Sequence, residues 1–430
     1  MIHNKALIAI REAHGLSQEA LADKLGYTVD YIRALEDKSK NRETATPEFL
    51  NILREKLDLH DAPLTEEELK QHTEELHRWR DLIDYGEMRK AAVIRPKLAK
   101  RTKLSFRQGT QCLYDLYEVR YYRAVGDKKA YEKLMASLSE RKHAFNERCN
   151  YLYYRQEAMA ALDAYRFKDA HAAFCKAEEI DKESKWLDVG FYYAYGTCLS
   201  YMGYATRSIE YCNMALHKAR WSMNHEANTN RRYDLYIECI LAQNHSKVGN
   251  TEEALFILTG RLRYEIERSR TSTLGFVYHF FGQVYQQMGE LSKALENYDN
   301  ALKYHHDGSV FCKDSLYHKA ESLIACDRIC EAVQCIEKGL TISSDEVWKS
   351  LFDALKHSVS LSCPKSLEYM KNTAIPRLLE LELYEEAMTH HETLSRFYEK
   401  IGNDKLRAEH SDSALAIQKQ LYRERVERGL

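Results

Sequence analysis

Along the first sixty residues, apolar side chains return every three or four positions and are broken by short polar turns. Leu7, Ile10 and Ala13, with Ala6 beside them, mark one face of a helix from about Lys5 to Ala13. Leu21 and Leu25 mark a second helix from Gln18 to Leu25, with Ser17 placed as its N-cap. Gly26 follows, a residue that tolerates the left-handed backbone that ends helices. Thr28 caps a third helix, from about Val29 to Asp37, whose Ile32 and Leu35 face back toward Leu21 and Leu25. Ala22 sits where the second and third helices must approach, so a larger side chain there would push them apart. Thr46 and Pro47 open a fourth helix, a capping residue with proline at the first helical position, carrying Phe49, Leu50, Ile52, Leu53 and Leu57.

A connector comes next. Asp61-Ala62-Pro63 closes the first set of helices, and Thr65 with Glu68 forms a capping box ahead of a helix to about Asp84. Residues 89–107 hold eight lysines or arginines and no acid. They read as the solvated face of the first array helix, or as a second phosphate-contacting patch or a dock for an acidic surface.

The remainder is a repeat. None of the five prolines lies between Pro96 and Pro364, and that stretch is rich in Ala, Leu, Tyr, Glu and Lys, which predicts continuous helical hairpins. The clearest unit, 276–306, carries Tyr278, Phe281-Gly282, Tyr285, Gly289, Ala294, Tyr298 and Ala301, the tetratricopeptide (TPR) pattern. Gly282 and Ala294 let the two helices of the hairpin approach; Tyr298 and Ala301 pack on the next unit. Ala170, Ser208, Ala254, Ala294, Ala332 and Ala387 are the equivalent second-helix positions. The first five are spaced 38, 46, 40 and 38 residues apart, longer than the usual ~34, so the helices are long. Helices over about 104–145 form a further degenerate unit, and the segment from about Ala408 is a solvated capping helix. The whole reads as an all-α chain: an N-terminal helix-turn-helix domain over 1–60, a linker helix and basic connector over 61–103, and a right-handed TPR-like α-solenoid over 104–430.

Composition narrows the chemistry. The net charge is −2 over 430 residues, and no apolar run is long enough for a membrane span or a signal peptide, which predicts a cytoplasmic protein. Eleven scattered cysteines fit buried thiols in a reducing compartment. Cys326, Cys330 and Cys335 lack a CxxC pair and a fourth ligand, and the pairs His305-His306 and His390-His391 point to different helix faces, so no metal or other cofactor is expected. There is no phosphate loop, no Ser/His/Asp triad and no convincing carboxylate pair, so catalysis is not expected.

The four-helix order, with Leu16-Ser17-Gln18 and Gly26-Tyr27-Thr28 at its turn, resembles the Cro/phage-repressor-like DNA-binding family over about residues 2–60. In that family the third helix enters the major groove. The resemblance implies base-facing roles for Val29, Asp30, Arg33 and Ala34, a helix start at Thr28, and phosphate contacts for Gln18, Lys38, Lys40 and Arg42. Arg33 suits guanine and Asp30 suits cytosine. Residues 1–60 hold nine Lys or Arg against ten Asp or Glu, so one domain would bind modestly and a dimer is implied.

A repressor-like head followed by such an array resembles the RRNPP group of peptide-sensing quorum regulators of Gram-positive bacteria. That resemblance implies a cytoplasmic homodimer that binds a DNA operator and a short oligopeptide signal. The inward face of each first helix then supplies the candidate peptide-binding residues: Arg155 and Gln156, Tyr193 and Thr197, Gln243 and Lys247, His279 and Gln283, and Tyr317 with Glu321. Two other readings stand beside this one. One is an array that binds or dephosphorylates a response regulator, with Gln156 or Glu157 positioning a water. The other is a scaffold repressor without a peptide ligand.

Overall fold

The computed structural model describes residues 4–37, 45–84, 86–105, 108–183, 185–222, 231–268, 271–307 and 309–427. Among them the regular elements are helical, and they fall into two compact units, 1–157 with 176–186, and 158–175 with 187–430.

The first unit opens with α1 (Asn4–Ala13), α2 (Gln18–Leu25), α3 (Val29–Glu36) and α4 (Pro47–Lys56). The predicted caps are in place: Ser17, Thr28 and Thr46 each accept a backbone N–H three residues on, and Gly26 ends α2 in the left-handed region at φ 75°. Leu7, Ile10, Leu21, Ile32, Phe49 and Leu53 are buried in one shared core, and Ala22 is 1 % exposed where α2 and α3 meet. Each such buried aliphatic contributes roughly 1.5–3 kcal/mol of transfer free energy.

The connector is more ordered than the sequence pattern implied. Thr65 and Glu68 exchange the two capping-box hydrogen bonds at 3.0 and 3.2 Å, starting α5 (Glu66–Asp84). The basic stretch is itself a helix, α6 (Met88–Lys103), running through Pro96. Its inner face packs on α5: the buried Trp79 indole donates to the Ala91 carbonyl at 3.0 Å, and His72 meets Thr102 at 2.9 Å. Leu104 packs against the core of α1–α4, and Lys100 pairs with Asp61 at 2.8 Å. The periodicity over α6 was obscured because long cationic side chains occupy its outer face. Hairpin α7 (Gln108–Val125) and α8 (Lys128–Arg141) follows, at the place expected of the degenerate unit. The start of α9 (Glu147–Asp163) and the end of α10 (Phe167–Ile180) complete the first unit.

The rest of α9 and α10 belongs to the second unit. It continues with α11 (Val189–Tyr201), α12 (Ala205–Ser222), α13 (Arg231–Lys247), α14 (Thr251–Glu267), α15 (Thr271–Gln287), α16 (Leu291–Tyr304), α17 (Val310–Ala325) and α18 (Ile329–Ile342). Then come α19 (Glu346–Ser358), α20 (Pro364–Tyr369), α21 (Ile375–Glu380), α22 (Tyr384–Lys400) and α23 (Asp404–Glu427). A π-helical turn over Met370–Ala374 joins α20 to α21. The six second-helix residues predicted from the repeat are all fully buried. Gly282 lies under the Tyr298 ring, where a Cβ would overlap it, and the Tyr298 hydroxyl donates to Gln286 at 2.6 Å. Tyr298 therefore closes its own hairpin as well as stacking on His318 of the next one.

The helix pairs turn through one recurrent geometry. Its pivot is Gly203, Gly249, Gly289 or Gly402 at four turns of the second unit, all at positive φ. Tyr165 (φ 58°), Asp327 (φ 60°) and Glu382 (φ 60°) take the same place with side chains that rarely adopt it.

Candidate functional site

The outward face of α3 is the candidate reading surface. Asp30 and Arg33 are exposed, Ala34 is half-buried, and Thr28 is used as the cap of the helix. Val29 is half-buried and packs against the domain core, which ties it to the scaffold. Arg33 reaches Glu19 at 3.0 Å and Asp30 at 3.5 Å, two exposed pairs that a base edge could replace at small cost. Gln18 is half-buried: its amide donates to Glu36 at 2.7 Å, and Glu36 also receives Arg11 at 2.7 and 3.1 Å. This partly buried network ties α1, α2 and α3 together. The contact was invisible in the sequence because its members lie 18 and 25 residues apart. Lys38, Lys40 and Arg42 lie outside the described residues.

The second candidate site is a cavity of about 430 Å³ inside the second unit. Six of the residues predicted to face a peptide line it: Tyr193, Thr197, Gln243, Lys247, Gln283 and Tyr317. Glu321 joins them. The wall between α11, α13 and α15 is a chain of polar side chains. Ser200 donates to Gln243 at 3.2 Å, and Gln243 donates to Gln283 at 2.9 Å. Lys247 donates to the Ser200 carbonyl at 3.1 Å, and Thr197 donates to the Tyr193 carbonyl at 2.9 Å.

Three predicted residues stand elsewhere. Arg155 and Gln156 are 4 % and 2 % exposed and belong to the first unit. His279 is fully buried, within 2.8 Å of the Ser315 hydroxyl and 3.2 Å of Asp314, so it backs the cavity wall without reaching the space. On the same helix Gln283 does line the cavity, so α15 presents the expected face, and His279, one turn earlier, is taken up by Ser315 and Asp314 of α17.

The far end of the cavity holds residues that the first-helix pattern omitted: Tyr165 from one turn and Lys168 from the start of α10, Trp348 from α19, and Glu382 from another turn with Tyr384, Glu385 and Glu386 from the start of α22. The Trp348 indole donates to the Tyr165 hydroxyl at 3.0 Å across 183 residues, and Lys168 donates to the Tyr384 hydroxyl at 3.2 Å across 216. A signal was present: Tyr165 stands 38 residues before Gly203, where the turn register calls for glycine.

Charge inside the cavity is displaced from its solution behaviour. Asp314 lies 3.3 Å from His318 and close to His279, and those neighbours hold its carboxyl far below the usual range despite burial. His318 is enclosed, yet its bonds to Asp314 and Glu321 raise it to about 10. Glu386 is raised to about 7, first by desolvation and then by Glu385 and Glu321. Among the described residues no group of three His, Cys, Asp or Glu side chains is arranged to hold a metal, and no helix is long and apolar enough to cross a membrane.

Residues 7–59 match the helix-turn-helix family. The chain also superposes on solved helical-repeat proteins. It is 19 % identical to the apo quorum sensor NprR from B. thuringiensis, with 82 % of this chain and 99 % of that one covered and a TM-score of 0.64. It is 19 % identical to NprR in complex with its cognate peptide NprX, covering 81 % and 99 %, with a TM-score of 0.68. A Rap protein complexed with competence and sporulation factor is 15 % identical, with 83 % and 100 % covered and a TM-score of 0.71. The fold is that of NprR and of the Rap protein. No curated protein matches the sequence. Within that fold, the helix-turn-helix head and the TPR-like array occupy one chain, and the cavity belongs to the array.

Proposed function

We propose that this chain is a cytoplasmic transcription regulator that binds an operator as a homodimer and changes that binding when its array takes up a short peptide. The observation that carries the reading is the cavity of about 430 Å³, walled by hydrogen-bonding and aromatic side chains from successive hairpins, on a chain that also bears an exposed recognition helix. An extended peptide brings an amide and a carbonyl at every residue, and the Gln243, Gln283 and Thr197 side chains can satisfy them. The structures of NprR with NprX and of Rap with its factor support the same use of this fold. A guest that fits one curvature of the array better than another shifts a two-state equilibrium. The paired heads read two half-sites only when their recognition helices lie about 34 Å apart, one turn of DNA. The role is binding, without catalysis.

Calorimetry with the short exported peptides encoded beside the gene, run alongside DNA mobility shifts, tests the reading. The expected result is a saturable peptide affinity and a change in operator affinity on addition. If none of those peptides has any effect on either, the sensing role is wrong. Arg33→Ala should weaken the operator complex roughly tenfold and relax preference at one base pair.

An aspartyl phosphate phosphatase F from Bacillus subtilis shares the fold at 16 % identity and a TM-score of 0.52, which keeps response-regulator binding as a second reading. Of the two side chains suggested for such chemistry, Gln156 is 2 % exposed and so is not presented to a partner, whereas Glu157 is half-buried. Loss of acyl phosphate from a phosphorylated receiver domain mixed with the protein would favour that reading.

A further inference from the structure

The sensing function proposed above leaves open what the guest must carry, and the cavity wall bears on this. Five carboxylates line the space, Asp314, Glu321, Glu382, Glu385 and Glu386, against Lys168, Lys247 and His318. The excess is not spread evenly. Asp314 is matched by His279 and His318, and Lys247 is turned toward the Ser200 carbonyl. Glu382, Glu385 and Glu386 sit together at the turn into α22 and make no ion pair among the described residues.

An independent observation points to a ligand at the same end. Tyr317 is 6 % exposed, and what remains open faces the cavity. Its hydroxyl has no hydrogen-bond partner among the described residues, although it lies in the field of Glu321, Glu386 and Asp314. The hydroxyl opens on the cavity, where a donor carried by a guest can reach it. Beside the Trp348 face, which the Lys313 ammonium already meets at 5.8 Å, the Tyr384 ring supplies a second attraction, because its face favours a cation. The protein already places one there: the Lys168 ammonium lies 4.5 Å from the centre of the Tyr384 ring. Tyr165 and Glu382, the two turn residues beside it, are both held in the left-handed region.

We propose that the end of the cavity between the Tyr165 and Glu382 turns receives a positively charged group of the peptide guest, a lysine or arginine side chain. Glu386 is its counter-charge and the Tyr317 hydroxyl is its hydrogen-bond acceptor. Lys168 occupies the adjoining Tyr384 face when no guest is bound and competes with it. This deepens the peptide-sensing reading and rests on it.

The test uses the full chain and N-acetylated, amidated heptapeptide pools in which one residue, walked through all seven positions, is lysine, norleucine or glutamate. Affinity is read by thermal shift and calorimetry. A lysine pool should bind at least tenfold more tightly than its norleucine counterpart, and the glutamate pool should bind least. Glu386→Gln and Tyr317→Phe should each bring the ratio of lysine-pool to norleucine-pool affinity close to one. Lys168→Met should strengthen lysine binding several-fold. Equal binding of lysine and norleucine pools would leave peptide sensing intact and overturn the cation site. A lysine preference untouched by Glu386→Gln and Tyr317→Phe would overturn its location. Failure of every pool to bind, with DNA binding preserved, would overturn the sensing role and the cation site together.

Discussion

The head and the array cavity handle charge in opposite ways. On α3, Arg33 is over half exposed and held by two exposed acids, so its bonds are weak and exchangeable. In the cavity, Asp314, His318 and Glu321 are linked over 2.8–3.3 Å, and the ionisation of Asp314 and His318 is displaced from its solution behaviour. A reading surface meets a strongly hydrated polyanion and needs loosely committed cations. A sensing cavity meets a small guest and needs polar groups already in place, because reorganising them on binding would cost affinity. The one committed charge network of the head, Arg11–Glu36–Gln18, is partly buried and holds the three helices in register.

The largest expected effect breaks that network. Glu36→Ala leaves Arg11 without its carboxylate and should cost about 3 kcal/mol of stability in the head, measured by chemical denaturation, whereas Arg33→Ala should leave stability nearly unchanged. If the two variants unfold alike, the contrast between committed and exchangeable charge fails. Within the array, Gly339→Ala would drive a methyl into the Phe352 ring and should cost about 2 kcal/mol, seen as a lowered array melting temperature. Replacing Glu382 by glycine should act the other way. It relieves a left-handed glutamate and should stabilise the array by about 1 kcal/mol while weakening lysine-peptide binding.

The pH dependence should be gentler. Burial lowers His305, His390 and His391 to about 4. The unfolded chain then takes up those protons first as pH falls below about 6.5, so stability is lost between about 6.5 and 4. Glu386, raised to about 7, works against this trend with a single proton. His318 is raised to about 10, so its contribution is complete below about 6.5 and is lost as pH rises through about 10. Melting temperature should therefore peak near neutrality, and His390→Leu should flatten the acid limb. His390 suits that test because neither ring nitrogen has a hydrogen-bond partner.

Much of this molecule was legible before its coordinates. Caps, the Gly26 turn, the four-helix head and the six small residues of the repeat follow from contacts within about one helical turn or one hairpin, and local chemistry alone selects them. The polar wall from Thr197 to Gln283 was legible for the same reason, since helical period sets which side chains share a face. Of the other three, Arg155 and Gln156 belong to the first unit, and His279 is taken up by Ser315 and Asp314 of α17, contacts 35 or more residues away that the helical period does not specify. The far end of the cavity was not readable at all. Tyr165 meets Trp348, and Lys168 meets Tyr384, only because successive hairpins stack until residues 183 and 216 apart in the chain become neighbours. Sequence alone determined the kind of each element and the faces it would bury, because those choices are made by propensity and period. Which carboxylates would gather at the turn into α22, and which tyrosine would face them across the cavity, was decided by how the small angles between stacked hairpins accumulate, and that sum appears only in three dimensions.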